Sequence, residues 1–171
     1  LMNPKELHFD SDGRKKLLSG ITQIAKAVKS TLGPQGNTVL IESQEHIGGI
    51  TVTKDGVTVA KSINLLDSVE NLAVRIMKEA ADKTATSAGD GTTTAIVITE
   101  ALVSKGLELL EEGINRAEVL RLLQSESNKI VDILKKQSKK ITGKKLKDVA
   151  VISANNDEEI GELIYKVYSE V

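Results

Sequence analysis

The residues best suited to chemistry lie in Gly89-Asp90-Gly91-Thr92-Thr93-Thr94, a short break between two helical patterns that opens the second of them. Glycines let a backbone approach a ligand closely. The unpaired N–H groups and dipole at a helix start favour an anion. Three hydroxyls at the same point can donate to phosphate oxygens, and Asp90 can hold a hard cation such as Mg2+ between phosphates. The plainer alternative is a capped helix start. Three consecutive β-branched residues are poor helix formers, so propensity alone does not account for them.

Two further loops carry glycine next to polar groups. Thr31-Leu32-Gly33-Pro34-Gln35-Gly36 follows a helical stripe and, taken alone, reads as a Gly-Pro stop. Thr53-Lys54-Asp55-Gly56 follows a strand pattern and, taken alone, reads as a tight turn. Neither G-x-x-x-x-G-K-[ST] nor G-x-G-x-x-G occurs, which excludes a P-loop nucleotide site and a dinucleotide fingerprint. Spacing by itself therefore reaches a phosphate site of a non-P-loop kind.

The elements that must position these loops are mostly helical. Leu17, Ile21, Ile24, Val28 and Leu32 form an amphipathic stripe that Ser11 or Asp12 can cap, with Gly33-Pro34 as its stop. Residues 4–9 alternate weakly and fit an edge strand. Asn37–Glu42 and Gly49–Thr53 read as a β-hairpin. The stretch VTVAKSINL from Val57 is ambiguous between strand and helix. Long helical patterns then cover about 67–88, 92–112 and 116–137. The first should bury Leu72, Ile76, Ala80 and Ala81. The second is apolar nearly all round at Ala95–Ile98 and should be central and buried. The third aligns Val119 or Leu120 with Leu123, Ile130 and Leu134. The run KKQSKKITGKKLK over 135–147 is the best candidate for a boundary, and otherwise a solvated face; a short helix near 146–152, a polar turn and a last helix from Glu158 follow.

Composition narrows the functional classes. With 171 residues, 40% of them apolar and 27% charged, the chain can bury a core. Aromatics are 2%, only Phe9, Tyr165 and Tyr168, and the net charge is −1, which argues against nucleic acid as a partner. No apolar run approaches the roughly 20 residues of a membrane span, and the N-terminus lacks the apolar stretch of a signal peptide, so no membrane partner is expected. The expected compartment is the cytoplasm, with an organelle matrix or a phage-infected host cytoplasm as alternatives. The absence of cysteine excludes disulfides and thiolate chemistry, and His8 and His46 have no metal-ligand spacing.

Taken together and in order, the motifs resemble the group I chaperonins, the GroEL type. Thr31 to Pro34 with Gly36, then Val52 to Ala60, then Gly89 to Thr94, and finally Ile152 to Asn155 with Asp157 look like that family's successive signatures, and the likeness runs from Lys5 onward. The resemblance implies a mainly α fold with a small β-hairpin, the N-terminal portion of a chaperonin equatorial helical bundle plus the start of the intermediate domain. It divides the chain into an equatorial ATPase segment over 1–136 and an ascending intermediate segment over 137–171, with the remaining segments of the family absent. It implies ATP hydrolysis coupled to protein folding, with ATP, Mg2+ and K+ bound. Thr31, Leu32, Gly33 and Pro34 would line the nucleotide. Asp90 would bind Mg2+, and Gly91, Thr92, Thr93 and Thr94 the phosphates. Thr31, Lys54 and Thr93 would help hold K+, and Asp55 would be the catalytic carboxylate. Implied partners are non-native client proteins, a GroES-type co-chaperonin lid and further copies of the chain in stacked rings. Gln35, Asn37 and the hairpin tip 45–49 depart from the family pattern and suggest a divergent member. The chain alone is expected to hydrolyse ATP negligibly. A non-catalytic helical scaffold or interaction module is the competing function if 171 residues are the whole gene product.

Overall fold

The computed structural model describes residues 6–33, 35–43, 49–154 and 156–170. The order of elements is α1 (Asp10–Lys29), β1 (Val39–Glu42), β2 (Ile50–Thr53), α2 (Gly56–Ser62), α3 (Ser68–Ala88), α4 (Thr92–Glu111), α5 (Arg116–Gln137), α6 (Lys144–Ser153) and α7 (Glu158–Glu170). This is the mainly helical architecture with one two-stranded hairpin that the sequence predicts. No described helix is long and apolar enough to cross a membrane.

Two compact units divide the chain between Val119 and Leu120, within α5. In the first, α1, α3 and α4 pack on one another and α2 packs on all three. Ile24, Val28, Val74, Met77 and Ile96 are fully buried where they meet, joined by Val59 and Ala60 of α2. The hairpin is antiparallel, Val39 opposite Thr53 and Glu42 opposite Ile50. Its inner residues Val39 and Ile41 lie against this core, while Leu40 and Val52 face outward. The second unit contains α6 and α7 packed together, with Ala150 and Gly161 buried at their contact.

Local chemistry sets the element ends. Asp67 caps α3 by accepting the N–H groups of Val69 and Glu70 at 2.9 and 3.0 Å, and Gly89 closes it in the left-handed conformation. Asn115 accepts the N–H of Ala117 at 2.8 Å in the first turn of α5. Asp157 accepts the N–H of Ile160 at 3.0 Å and starts α7.

Several sequence expectations change. Residues 6–9 form no strand; residues 4 and 5 lie outside the described residues. Helix α1 starts at Asp10 with Phe9 as N-cap and no side-chain cap, because Asp12 is bonded to Nδ1 of His8 at 3.0 Å instead. It ends at Lys29, ahead of the expected Gly33-Pro34 stop, because Thr31 and Leu32 turn back onto Val28 and Lys29. The ambiguous stretch after Lys54 is helical. Helix α3 buries Ala73, Val74, Met77 and Ala81, whereas Leu72 and Ile76 are 50% and 57% exposed. Both stripes have helical spacing; the one with small residues wins because α1 crosses closely there, with Gly20 against the Glu70 carbonyl. Helix α4 is not enclosed: only Thr92 and Ile96 are buried, and Ile98 and Leu102 remain exposed. On α5 no residue is buried: Leu120, Leu123, Ile130 and Leu134 are exposed and Val119 is half-buried.

Candidate functional site

Three segments far apart in sequence meet at Gly56. A Cβ placed on Gly56 would collide with Thr93 Oγ1 and lie 3.1 Å from Thr31 Oγ1 and 3.3 Å from Val28 Cγ1. Even an alanine would overlap the Thr93 hydroxyl, so only glycine lets the end of α1, the start of α2 and the start of α4 approach this closely. The three glycine-containing motifs of the sequence thus converge on one spot of the first unit.

The start of α4 follows from its sequence. Gly89 and Gly91 both have positive φ, 74° and 83°, which L side chains rarely adopt. Together they reverse the chain out of α3 and into α4 within three residues. Gly91 is the N-cap and supplies no side-chain acceptor. The first intrahelical bond of this end is from the Ala95 N–H to the Gly91 carbonyl at 2.8 Å, so the N–H groups of Thr92, Thr93 and Thr94 have no acceptor within the helix. Thr92 is buried, Thr93 half-buried and Thr94 exposed. Asp90 is exposed beside them, and its Oδ1 accepts the Gly91 N–H at 2.6 Å. Oriented donors, hydroxyls and one carboxylate at a helix start make a site for a polyphosphate with a divalent cation.

The Thr31 loop is the second wall. The Thr31 hydroxyl donates to the Val28 carbonyl at 2.8 Å, which leaves its lone pairs for a ligand. Leu32 is 49% exposed, and Gly33 has φ 82° with open space beside it. Pro34 lies outside the described residues, as does Asn155 of the last motif.

Asp55 ends β2 and starts α2. Its Oδ1 accepts the Val57 N–H at 3.2 Å, and its Oδ2 accepts the Thr58 N–H at 2.9 Å and the Thr58 hydroxyl at 2.5 Å. This is an N-cap rather than the tight turn that the isolated motif suggests. Partial burial works against its charge, but the Thr58 hydroxyl and the Thr58 and Val57 amides outweigh it and hold its carboxyl below the usual aspartate range. Its own N–H donates to Thr53 Oγ1 at 3.0 Å. Lys54 is exposed. An ammonium repels a cation, so Lys54 can serve a K+ ion only through its carbonyl oxygen, in company with the Thr31 and Thr93 hydroxyls.

Residues 24–171 match the model of the TCP-1/cpn60 chaperonin family. The chain belongs to that family. The chaperonin gp146 of bacteriophage EL (Pseudomonas aeruginosa), solved in the presence of ATP-BeFx, is 29% identical in two crystal forms with TM-scores of 0.77 and 0.78. The alignment covers 94% of this chain and 28% of that one. A group III chaperonin in the open state is 25% identical at a TM-score of 0.78, covering 93% of this chain and 32% of that one. This chaperonin chain thus spans about a third or less of the length of these relatives, and it corresponds to an N-terminal segment of the family. A phage chaperonin and a group III chaperonin are equally similar in fold, so the membership is at the level of the family rather than of group I.

Sequence reasoning singled out each loop and missed two parts of the site. One is Gly56 as the meeting point; nothing local shows that residues 31, 56 and 93 will touch. The other is Thr58, which holds the Asp55 carboxylate. Its signal is the Asp55-x-x-Thr58 spacing ahead of an apolar run, the N-cap to N3 relation.

Proposed function

We propose that this chain is the nucleotide-binding N-terminal part of an ATP-dependent protein-folding chaperonin. The convergence of Thr31, Gly56 and Thr93, with Asp55 directly before Gly56 in sequence and Asp90 three residues before Thr93, carries this reading. The N–H groups and hydroxyls of Thr92 to Thr94 would take the phosphates, and Thr31, Leu32, Gly33 and Pro34 the rest of the nucleotide. Asp90 would hold Mg2+; one carboxylate fits an ion that keeps several waters and otherwise binds substrate oxygens. When bound, that ion supplies neutralisation of phosphate charge. K+ would sit with the Thr31 and Thr93 hydroxyls and the Lys54 carbonyl. Asp55, ionised at neutral pH, would orient the attacking water for in-line displacement.

The motif set from Thr31 to Asp157 favours a group I member, with an equatorial segment to residue 136 and an intermediate segment from 137. On that reading the complete protein encloses non-native clients in stacked rings under a co-chaperonin lid, in the cytoplasm.

The test uses the complete protein. Asp90→Ala should weaken ATP binding and abolish turnover together, because the metal serves ground and transition states alike. Asp55→Ala should lower turnover by about 10²–10⁴ while ATP affinity stays within a few-fold. Calorimetry gives the affinity and phosphate release the rate. If Asp55→Ala loses binding as badly as Asp90→Ala, the role given to Asp55 is wrong. If the unaltered protein binds no ATP, the non-catalytic scaffold replaces the ATPase.

A further inference from the structure

We propose that Thr58 is the positioning residue of the site: it anchors Oδ2 of Asp55 and leaves Oδ1 as the oxygen that meets the attacking water. This rests on the reading of Asp55 given above.

A carboxylate offers about four lone-pair positions, two on each oxygen. Oδ2 accepts two donors, the Thr58 N–H at 2.9 Å and the Thr58 hydroxyl at 2.5 Å. Oδ1 accepts one, the Val57 N–H at 3.2 Å, the longest of the three. The protein has therefore filled one oxygen and left a position open on the other. The backbone amides alone would hold the carboxylate as any helix cap does; the hydroxyl adds a third point and fixes its rotation. That hydroxyl rides on a rigid element, since Val59 and Ala60, the next residues of α2, are both 2% exposed in the core.

The chemical consequence is an orienting group rather than a proton acceptor. The same donors keep the carboxyl ionised and weakly basic. In the displacement, the water oxygen bonds to the γ-phosphorus and the bond to the bridging oxygen breaks. That electron pair stays on ADP, the water's proton leaves on inorganic phosphate, and Asp55 ends as it began.

The experiment compares Thr58→Val, which keeps the shape and removes the hydroxyl, with Thr58→Ser, which restores it. In the complete protein, Thr58→Val should lower turnover by about 10-fold, the worth of one hydrogen bond to a charged group. It should leave ATP affinity within about 2-fold. Thr58→Ser should keep both near the unaltered values. Independently, amide exchange at Val57 and Thr58 should quicken in Thr58→Val and not in Thr58→Ser, because the cap loses its third anchor. Circular dichroism checks folding, and Thr58→Ala serves the same comparison if valine loosens α2. Unchanged turnover in Thr58→Val, or a Thr58→Ser variant as impaired as Thr58→Val, overturns the proposal. Should Asp55→Ala retain full turnover, the role of Asp55 itself fails, while amide exchange at Val57 and Thr58 still decides whether Thr58 holds that carboxylate.

Discussion

The two units of the chain are held in different ways. The first closes four helices over side chains from every one of them: Ile24 and Val28 from α1, Val59 from α2, Val74 and Met77 from α3, and Ile96 from α4. The second brings two helices together at a seam of small residues, Ala150 and Gly161, while Leu163 and Val167 on α7 stay 65% and 58% exposed. The candidate site lies wholly in the unit that has the core. A phosphate site built from helix starts and glycine turns needs its backbone fixed to within a fraction of an ångström, and the first unit supplies that. The seam of the second depends on close backbone approach, which is a more fragile device.

That contrast can be broken most directly at the core. Ile24→Ala removes a fully buried side chain and should cost about 2–5 kcal/mol, read as a large drop in the denaturation midpoint of the first unit. A loss under about 1 kcal/mol would mean that this core is not what holds the site. At the seam, Gly161→Ala would place a Cβ 2.5 Å from Val151 Cγ2 and 2.6 Å from Val151 Cα. Overpacking of that kind costs about 1–3 kcal/mol. Faster amide exchange should be confined to α6 and α7, with none in α1 or α4; exchange that rises in both units would erase the distinction between them.

The smallest effect tests whether surface charge adds to the first unit. The Lys16 ammonium, bonded at 2.7 Å, and the Glu70 and Val69 amides hold the Asp67 carboxyl down to about 2, against an ordinary 3.8. A group whose pKa falls on folding stabilises above its unfolded value, and that contribution disappears as pH falls through its folded one. Asp67→Asn keeps an N-cap and removes the charge. It should lower the melting temperature by a few degrees at pH 7, and the difference from the unaltered chain should shrink between about pH 4 and pH 2. A difference independent of pH would assign the loss to packing.

Much of this was legible in the sequence because it is local. Helices α3, α4 and α5 fall within a residue of their 3.6-residue patterns, and the hairpin lies where its alternation ends. Three things were not legible, for one physical reason: they depend on neighbours that periodicity does not show. Leu72 and Ile76 have the same spacing as Ala73, Met77 and Ala81, and the close crossing of α1 decided between them. Ala95–Ile98 looks buried all round until the packing shows cover on one side only. The stretch after Lys54 took helical form because Asp55 caps it, although Val57, Thr58 and Val59 suit a strand as well. In the site, each loop was visible singly and the contact among them was not.

Gly56 also bears on the order in which the chain can fold. Its neighbours Thr31 and Thr93 are far from it along the chain, on either side. The junction needs the end of α1 and the starts of α2 and α4 in place at once, so it is complete only when all three helices have come together. A partly folded chain with α1 and α3 paired would hold much of the hydrophobic core and none of the three-way junction. On the proposed function, nucleotide therefore cannot serve as an early template. It would only reward a chain that has already finished, drawing the equilibrium toward the completed first unit by mass action.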